Sequence, residues 1–405
     1  MKNQAWSGPR PAWLGFRPVW LKILLPLLVL VALTAAISAP VYYQRIMNPT
    51  TDDYDAHIVF TLRMLKRELP PTFIIAHPLL ELVIGFIYWA GRGHIGLYET
   101  AALVQVLAQV AAALVLYFWI GKIQTKWGQV GRIFLAVTLT IVAPVMILAL
   151  VDGLFYFGYI GLASYHNPTV HLLRPFALLS FYFSVRAFTH PKNPYWMVAL
   201  AGLCMLAGML TKPNYGIALL PGLGVLALWF LLRRRPLDWW MLIAGQVIPC
   251  LAVLALQAKL IYMLPDAQPV GLMIAPFAVE AHWSNYLPFK FLLSILFPLA
   301  VAALTWKSLR KNDEMILAWL VFFFSVIQLY FLAETGMRFA DANFRWGAQI
   351  ALFILFAASL RSILKRENEE PLTWAKRWPI YGMYLLHLAA GIAYYIYAFV
   401  QPGYG

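Results

Sequence analysis

Ten residues, Asn48-Pro49-Thr50-Thr51-Asp52-Asp53-Tyr54-Asp55-Ala56-His57, place three carboxylates and an imidazole together in a chain otherwise poor in charge. Carboxylates this close repel one another unless a cation, a metal or a proton relieves them. Asp52, Asp53 and Asp55 are therefore the candidate catalytic residues, able as general bases to take a proton from an acceptor hydroxyl. The plain alternative is a polar loop in which Asp52 or Asp53 caps a helix beginning near Asp55, a task that needs only one carboxylate. The same side chains with His57 offer oxygen and nitrogen ligands of the kind Mn²⁺ or Mg²⁺ accepts, but their spacing matches no specific metal motif, and no metal is assigned.

Later loops add the complementary charge. Lys212, Arg338 and Arg345 are candidates to bind a phosphate, since guanidinium forks and an ammonium can clamp a departing phosphate and stabilise its developing charge. His57, His166, Asn167 and Asn343 are the candidate substrate-binding residues. Each has a structural alternative. Arg338 and Arg345 could pair with Glu334 and Asp341, Lys212 before Pro213 could snorkel to an interface, and His77 could pair with Glu81 one helical turn on. His171 and His387 lie within apolar segments and read as satisfied core histidines.

The elements that must position these residues are membrane-spanning helices. Of 405 residues 62% are hydrophobic and 12% charged, and the mean hydropathy is +0.71, which excludes a soluble globular domain. Sixteen Trp and 21 Tyr suit two interfacial aromatic belts. The net charge of +14 comes from short basic clusters between apolar segments, which are topology signals and contacts to anionic membrane lipids rather than a nucleic-acid surface. Cys204 and Cys250 sit inside apolar segments and form no disulfide framework. Lys2, Arg10 and Arg17 precede a first span, about residues 19–43, that reads as a retained helix with a cytoplasmic N-terminus.

The Asp-rich stretch then falls on the extracytoplasmic side of a plasma (inner) membrane, in a first outer loop over 44–72. Apolar Ile58, Val59, Leu62, Leu65 and Leu69 at helical spacing, with Arg63, Lys66 and Arg67 opposite, predict an interfacial helix there, ended by Pro70 and Pro71. Segments follow near 73–90, 100–120, 133–151 and, less regularly, 154–165. Either all cross, leaving the Lys122 to Arg132 turn outside, or one is re-entrant, that turn is cytoplasmic and Asp152 faces outside. Spans near 170–188, 195–210, 216–232, 239–262, 291–306, 315–332, 347–364 and 380–400 then alternate so that the basic turns fall inside. The chain reads as one all-α integral membrane domain of about 11–13 transmembrane helices, residues 1–405, without a soluble domain.

Two further stretches, His166-Asn167-Pro168-Thr169 and Lys212-Pro213-Asn214, join Glu334-Thr335-Gly336 and Asn343-Phe344-Arg345-Trp346 on the expected outer face. With a first helix followed at once by Asp53-Tyr54-Asp55-Ala56, this layout resembles the C-type (GT-C) membrane glycosyltransferases that use polyprenyl-phosphate sugars. Asp53-Tyr54-Asp55-Ala56 is similar to the Asp-Tyr-Glu-Ala stretch of the eukaryotic dolichol-phosphoglucose-dependent members, with Asp53 on the catalytic position and Asp55 on the second acidic one. The resemblance implies inverting transfer of a hexose or pentose from a polyprenyl-phosphate carrier to an acceptor on the outer face. Asp53 would be the base, Arg338 or Arg345 would meet the lipid phosphate, and no metal would be required. Without a C-terminal soluble domain, a glycan, a lipid or another small acceptor is expected. Two alternatives stand beside it: a glycan polymerase or ligase using diphosphate-linked donors, and a lipid or sugar transporter. The modest segment 264–290 fits the first poorly, and charge gathered at one face fits the second poorly.

Overall fold

The computed structural model describes residues 19–48, 53–68, 78–121, 123, 128–262 and 271–401. It is a polytopic helical membrane protein. The chain opens with α1 (Val19–Met47), α2 (Asp53–Leu65), α3 (Leu79–Ala90), α4 (Leu97–Gly121), α5 (Gly128–Ile141) and α6 (Ala149–Asp152). Then come α7 (Pro168–Thr189), α8 (Tyr195–Thr211), α9 (Asn214–Leu232), and α10 (Trp239–Leu242), which a single π turn joins to α11 (Ile248–Tyr262). A two-stranded antiparallel sheet interrupts the helices, pairing β1 (Leu272–Ile274) with β2 (Leu332–Glu334) so that Leu272 faces Glu334. Between the strands lie α12 (Ala278–Trp283), α13 (Leu287–Ser294), α14 (Leu296–Leu309) and α15 (Asp313–Phe331). A 3-10 turn (Gly336–Asp341), α16 (Arg345–Glu369) and α17 (Trp374–Val400) close the chain.

Seven helices of the described residues are long and apolar enough to cross a membrane, and α13 with α14, bent by 66°, make an eighth if they count as one span. That is fewer than the expected count. The difference lies in the shorter apolar helices α3, α5 and α8 and in α7, which carries His171, Arg174 and Arg186 within its 22 residues.

The two ends of the bundle differ in chemistry, and they fix the path of the chain. Asp53, His166, Lys212 and Asp341 line a cavity at one end. Ile123, Arg186, Lys311 and Arg361 line a cavity at the other. Because Tyr98 at the start of α4 donates to Asp55 at the start of α2, 2.8 Å, α2 and α3 together leave and regain the same end. At 12 residues α3 is about 18 Å long, too short for a hydrocarbon core of about 30 Å. The two helices form a hairpin, packed where Gly85 meets Thr61, Met64 and Leu65. Ile123, after α4, then shares the basic end, and Asp152 reaches the acidic end, where Lys290 binds it at 2.6 Å. The path of the chain is that of the expected alternative in which one early segment turns back, although only seven helices of the described residues, or eight with the bent pair, are long and apolar enough to count as spans.

Two segments depart from expectation. The span expected over 133–151 is helical to Ile141 and again only in the single turn of α6. Its unwound continuation is satisfied by neighbours, as unpaired backbone in an apolar bundle must be. His387 Nδ1 donates to the Ala143 carbonyl, 2.7 Å, and its Nε2 accepts from the Phe297 amide, 3.4 Å, beside the break between α13 and α14. The 154–165 segment is irregular chain rather than a short span, and it carries Tyr156 and Phe157 into the cavity at the acidic end. Its backbone is held from all sides. Arg174 and His171 bind the Leu162 and Ser164 carbonyls, Lys290 donates to the Phe157 carbonyl, 3.0 Å, and Ser294 accepts from the Ile160 amide, 3.0 Å.

Candidate active site

The cavity at the acidic end has a volume of about 750 Å³, within the range of small-molecule sites. Asp53 enters it from the first turn of α2, where the positive end of the helix dipole favours a carboxylate. His57, one turn later on the same helix face, lines the cavity too. Asp55 does not. Residues two apart on a helix point to different sides, so Asp53 turns to Asn167 while Asp55 accepts from Tyr98. Asp53 and Asp55, neighbours in sequence, are thus claimed by partners on different elements, Asn167 before α7 and Tyr98 on α4. Asp52 and His77 lie outside the described residues.

Asn167 fixes Asp53 across 114 positions of sequence. Its Oδ1 accepts from the Val170 amide, 3.2 Å, as the N-cap of α7, and from the Thr169 hydroxyl, 2.7 Å. A backbone N–H can only donate, so Oδ1 faces the helix and Nδ2 donates to the Asp53 carboxylate. Thr169 in turn accepts from Lys212 Nζ, 3.0 Å. His57 is anchored from behind. Its Nδ1 donates at 2.6 Å to Glu81, a carboxylate with no exposed surface.

Lys212 follows the last residue of α8, is 6% exposed, and sits 4.7 Å from the Trp346 ring centroid. It is walled into the cavity rather than snorkelling. Burial pulls its ammonium down to about 8, with Asp53 opposing the shift. His166 is likewise buried, and burial together with Arg45, Arg345 and Lys212 lowers it to about 3, which keeps the imidazole neutral at physiological pH. Its ring stands edge-on to Tyr156, 4.4 Å between centroids.

Arg345 lines the same cavity, but its Nε and Nη2 form a bidentate pair with Glu280 at 3.0 and 2.8 Å, both side chains almost fully buried. Arg338 does not line it and pairs with Glu334 at 3.3 Å. Of the two arginines expected on a phosphate, one is neutralised and the other stands apart. The expected pairing of Arg345 with Glu334 or Asp341 is replaced by Glu280, from the segment between the strands. Asn343 lines the cavity while donating to Glu334, and its carbonyl accepts from Asn214, 2.8 Å.

Three wall residues, Tyr156, Phe157 and Trp283, carry no sequence signal of their own. Phe157 stacks on Trp283, 4.9 Å apart and 13° from parallel, and Trp283 Nε1 donates to the Ala340 carbonyl, 3.0 Å. With Tyr156 and Trp346 these rings form aromatic walls beside Asp53 and Lys212. Asp341, which also lines the cavity, adds a second carboxylate. Among the described residues no three His, Cys, Asp or Glu side chains gather as metal ligands.

No protein-family model matches the sequence, and no curated protein matches it. Among solved structures the chain is similar to the Archaeoglobus fulgidus oligosaccharyltransferase in its apo form, with a TM-score of 0.49 and 12% identity over 94% of this chain. It is also similar to the archaeal oligosaccharyltransferase AglB from the same organism in complex with an inhibitory peptide and a dolichol-phosphate, with a TM-score of 0.48 and 12% identity over 92% of this chain. A third form of the Archaeoglobus fulgidus oligosaccharyltransferase, tethered to an acceptor peptide, gives a TM-score of 0.45 and 14% identity over 96%. The chain spans 56% of the length of each.

Proposed function

We propose that the protein is a glycosyltransferase that moves a sugar from a polyprenyl-phosphate carrier to a glycan, lipid or other small acceptor, at the extracytoplasmic face, with inversion. The observation that carries this reading is that a half-buried carboxylate on a helix N-terminus and a buried lysine ammonium share one aromatic-walled cavity. Asp53 takes the proton from the acceptor hydroxyl. The acceptor oxygen forms its bond to the anomeric carbon as the bond to the carrier phosphate breaks, and that electron pair leaves on the phosphate oxygen. Lys212 receives the phosphate charge, in preference to Arg345, whose fork is spent on Glu280. The aromatic walls suit the apolar faces of a sugar ring. The charge balance is met by Lys212, so the reaction as proposed calls on no divalent metal.

The test is to incubate the purified protein with a panel of polyprenyl-phosphate hexoses and pentoses and to follow release of the carrier phosphate by mass spectrometry. Release from at least one donor that depends on Asp53 and survives chelator supports the reading. No release from any monophosphate donor, with turnover of a diphosphate-linked one, would transfer the protein to the polymerase and ligase class.

A further inference from the structure

A second cavity, about 910 Å³, lies at the opposite, basic end of the bundle and plays no part in the chemistry above. It opens between the ends of α4, α7 and α16 and the start of α15, with Trp119 and Tyr182 among its walls. Its acidic lining is already matched. Asp313 is held bidentately by Arg235 at 2.9 and 2.6 Å, Glu314 by Arg361, and Glu369 by Lys365 at 3.8 Å.

Its cationic lining is matched only in part. Arg186 is oriented by neutral groups alone, its Nε donating to Asn193 at 2.9 Å and its Nη1 to the Tyr182 hydroxyl at 3.2 Å. Among the described residues neither Arg186 nor the exposed Lys311 has a carboxylate within ion-pair distance. A guanidinium held in place by an amide and a phenol, in a cavity that a second cation without an ion-pair partner also lines, is preorganised for an external anion. The basic turns and aromatic residues at this end mark the level of a membrane interface, where the available anion is a lipid phosphate.

We infer that this cavity binds the phosphate headgroup of an anionic phospholipid through Arg186 and Lys311. The site stands apart from the Asp53 cavity and does not depend on the reading given to it.

The experiment uses the full chain in phosphatidylcholine nanodiscs doped with increasing phosphatidylglycerol, reading the thermal midpoint and, by native mass spectrometry, the phospholipid retained after release into detergent. The wild type should retain one phosphatidylglycerol. The Arg186→Gln/Lys311→Gln double variant should bind it roughly tenfold or more weakly. Lys311→Gln alone, at an exposed position that the fold does not need, should show an intermediate loss. A charge-matched control, Arg233→Gln/Arg234→Gln, removes two nearby cations outside the cavity and should bind as the wild type does. Equal loss in the control, or full retention in the double variant, would overturn the site. Inorganic phosphate producing the same stabilisation in phosphatidylcholine alone would assign the cavity to a free phosphate and overturn the lipid.

Discussion

Asn167 holds the N-terminus of α7 with its amide oxygen and the Asp53 carboxylate with its amide nitrogen, so the helix start and the candidate base are set by one planar group. Neither function leaves freedom for the other. A base fixed this way keeps its lone pairs aimed at one region of the cavity, which is the geometric condition for proton transfer in a defined pose.

Asp53→Asn should lower transfer by roughly 10²–10⁴-fold, the range typical of losing a general base, with little change in thermal midpoint. Asp55→Asn keeps an oxygen that can accept from Tyr98, in a half-exposed bond outside the cavity, and should leave most of the rate. Initial rates of carrier release from both variants decide it. Full activity in Asp53→Asn, or a larger loss in Asp55→Asn, reverses their order.

Replacing Asn167 should separate its two roles. Asn167→Ala loses the helix cap, at a cost of about 1 kcal/mol in stability, and frees Asp53, lowering kcat. Asn167→Ser can restore the cap but does not reach Asp53, so it should recover the thermal midpoint without recovering kcat. Joint recovery of both would remove Asn167 from the positioning of the base.

Lys212 predicts the pH behaviour. Burial lowers its ammonium to about 8, so in the free enzyme it is charged below that pH and neutral above. Donor binding should therefore weaken as pH rises through about 8, appearing as a rise in KM for the donor. The phosphate stabilises the ammonium, so the limb moves to higher pH in the bound state. Lys212→Arg stays charged throughout and should flatten the alkaline limb. His166, lowered to about 3, remains neutral on both sides of the ordinary histidine range. An acid limb near pH 6 that disappears in His166→Gln would contradict that.

The Arg345 and Glu280 pair should behave as structure. Arg345→Met or Glu280→Leu leaves its partner buried without its counter-charge and should cost about 3–5 kcal/mol. The double variant Arg345→Met/Glu280→Leu should be more stable than either single one, a coupling that thermal or denaturant unfolding measures directly. A large, selective rise in donor KM in Arg345→Met at unchanged stability would instead return Arg345 to the phosphate.

The helical membrane architecture was legible because apolar runs and basic turns are local signals, each read within about twenty residues. For the same reason the Asp-rich stretch stood out, and so did the loops carrying His166, Lys212 and Asn343, which do meet Asp53 and His57 in one cavity. Less legible was the early topology. The α2 and α3 hairpin and the unwound chain after Ile141 depend on distant partners, Tyr98 for Asp55 and His387 for Ala143, that no local pattern announces.

Charge by itself therefore determined where chemistry was to be sought, since an ionisable side chain in an apolar chain is costly wherever it lies. Only the tertiary structure decided which charges face the cavity. Helical spacing parts Asp55 from Asp53, and Asn167 claims the latter for the cavity. Glu280, far away in sequence, neutralises Arg345, whereas Lys212 is left facing the open space beside Asp53. The sequence carries the charges, but the pairing that cancels them is a matter of distance, and distance is set by packing.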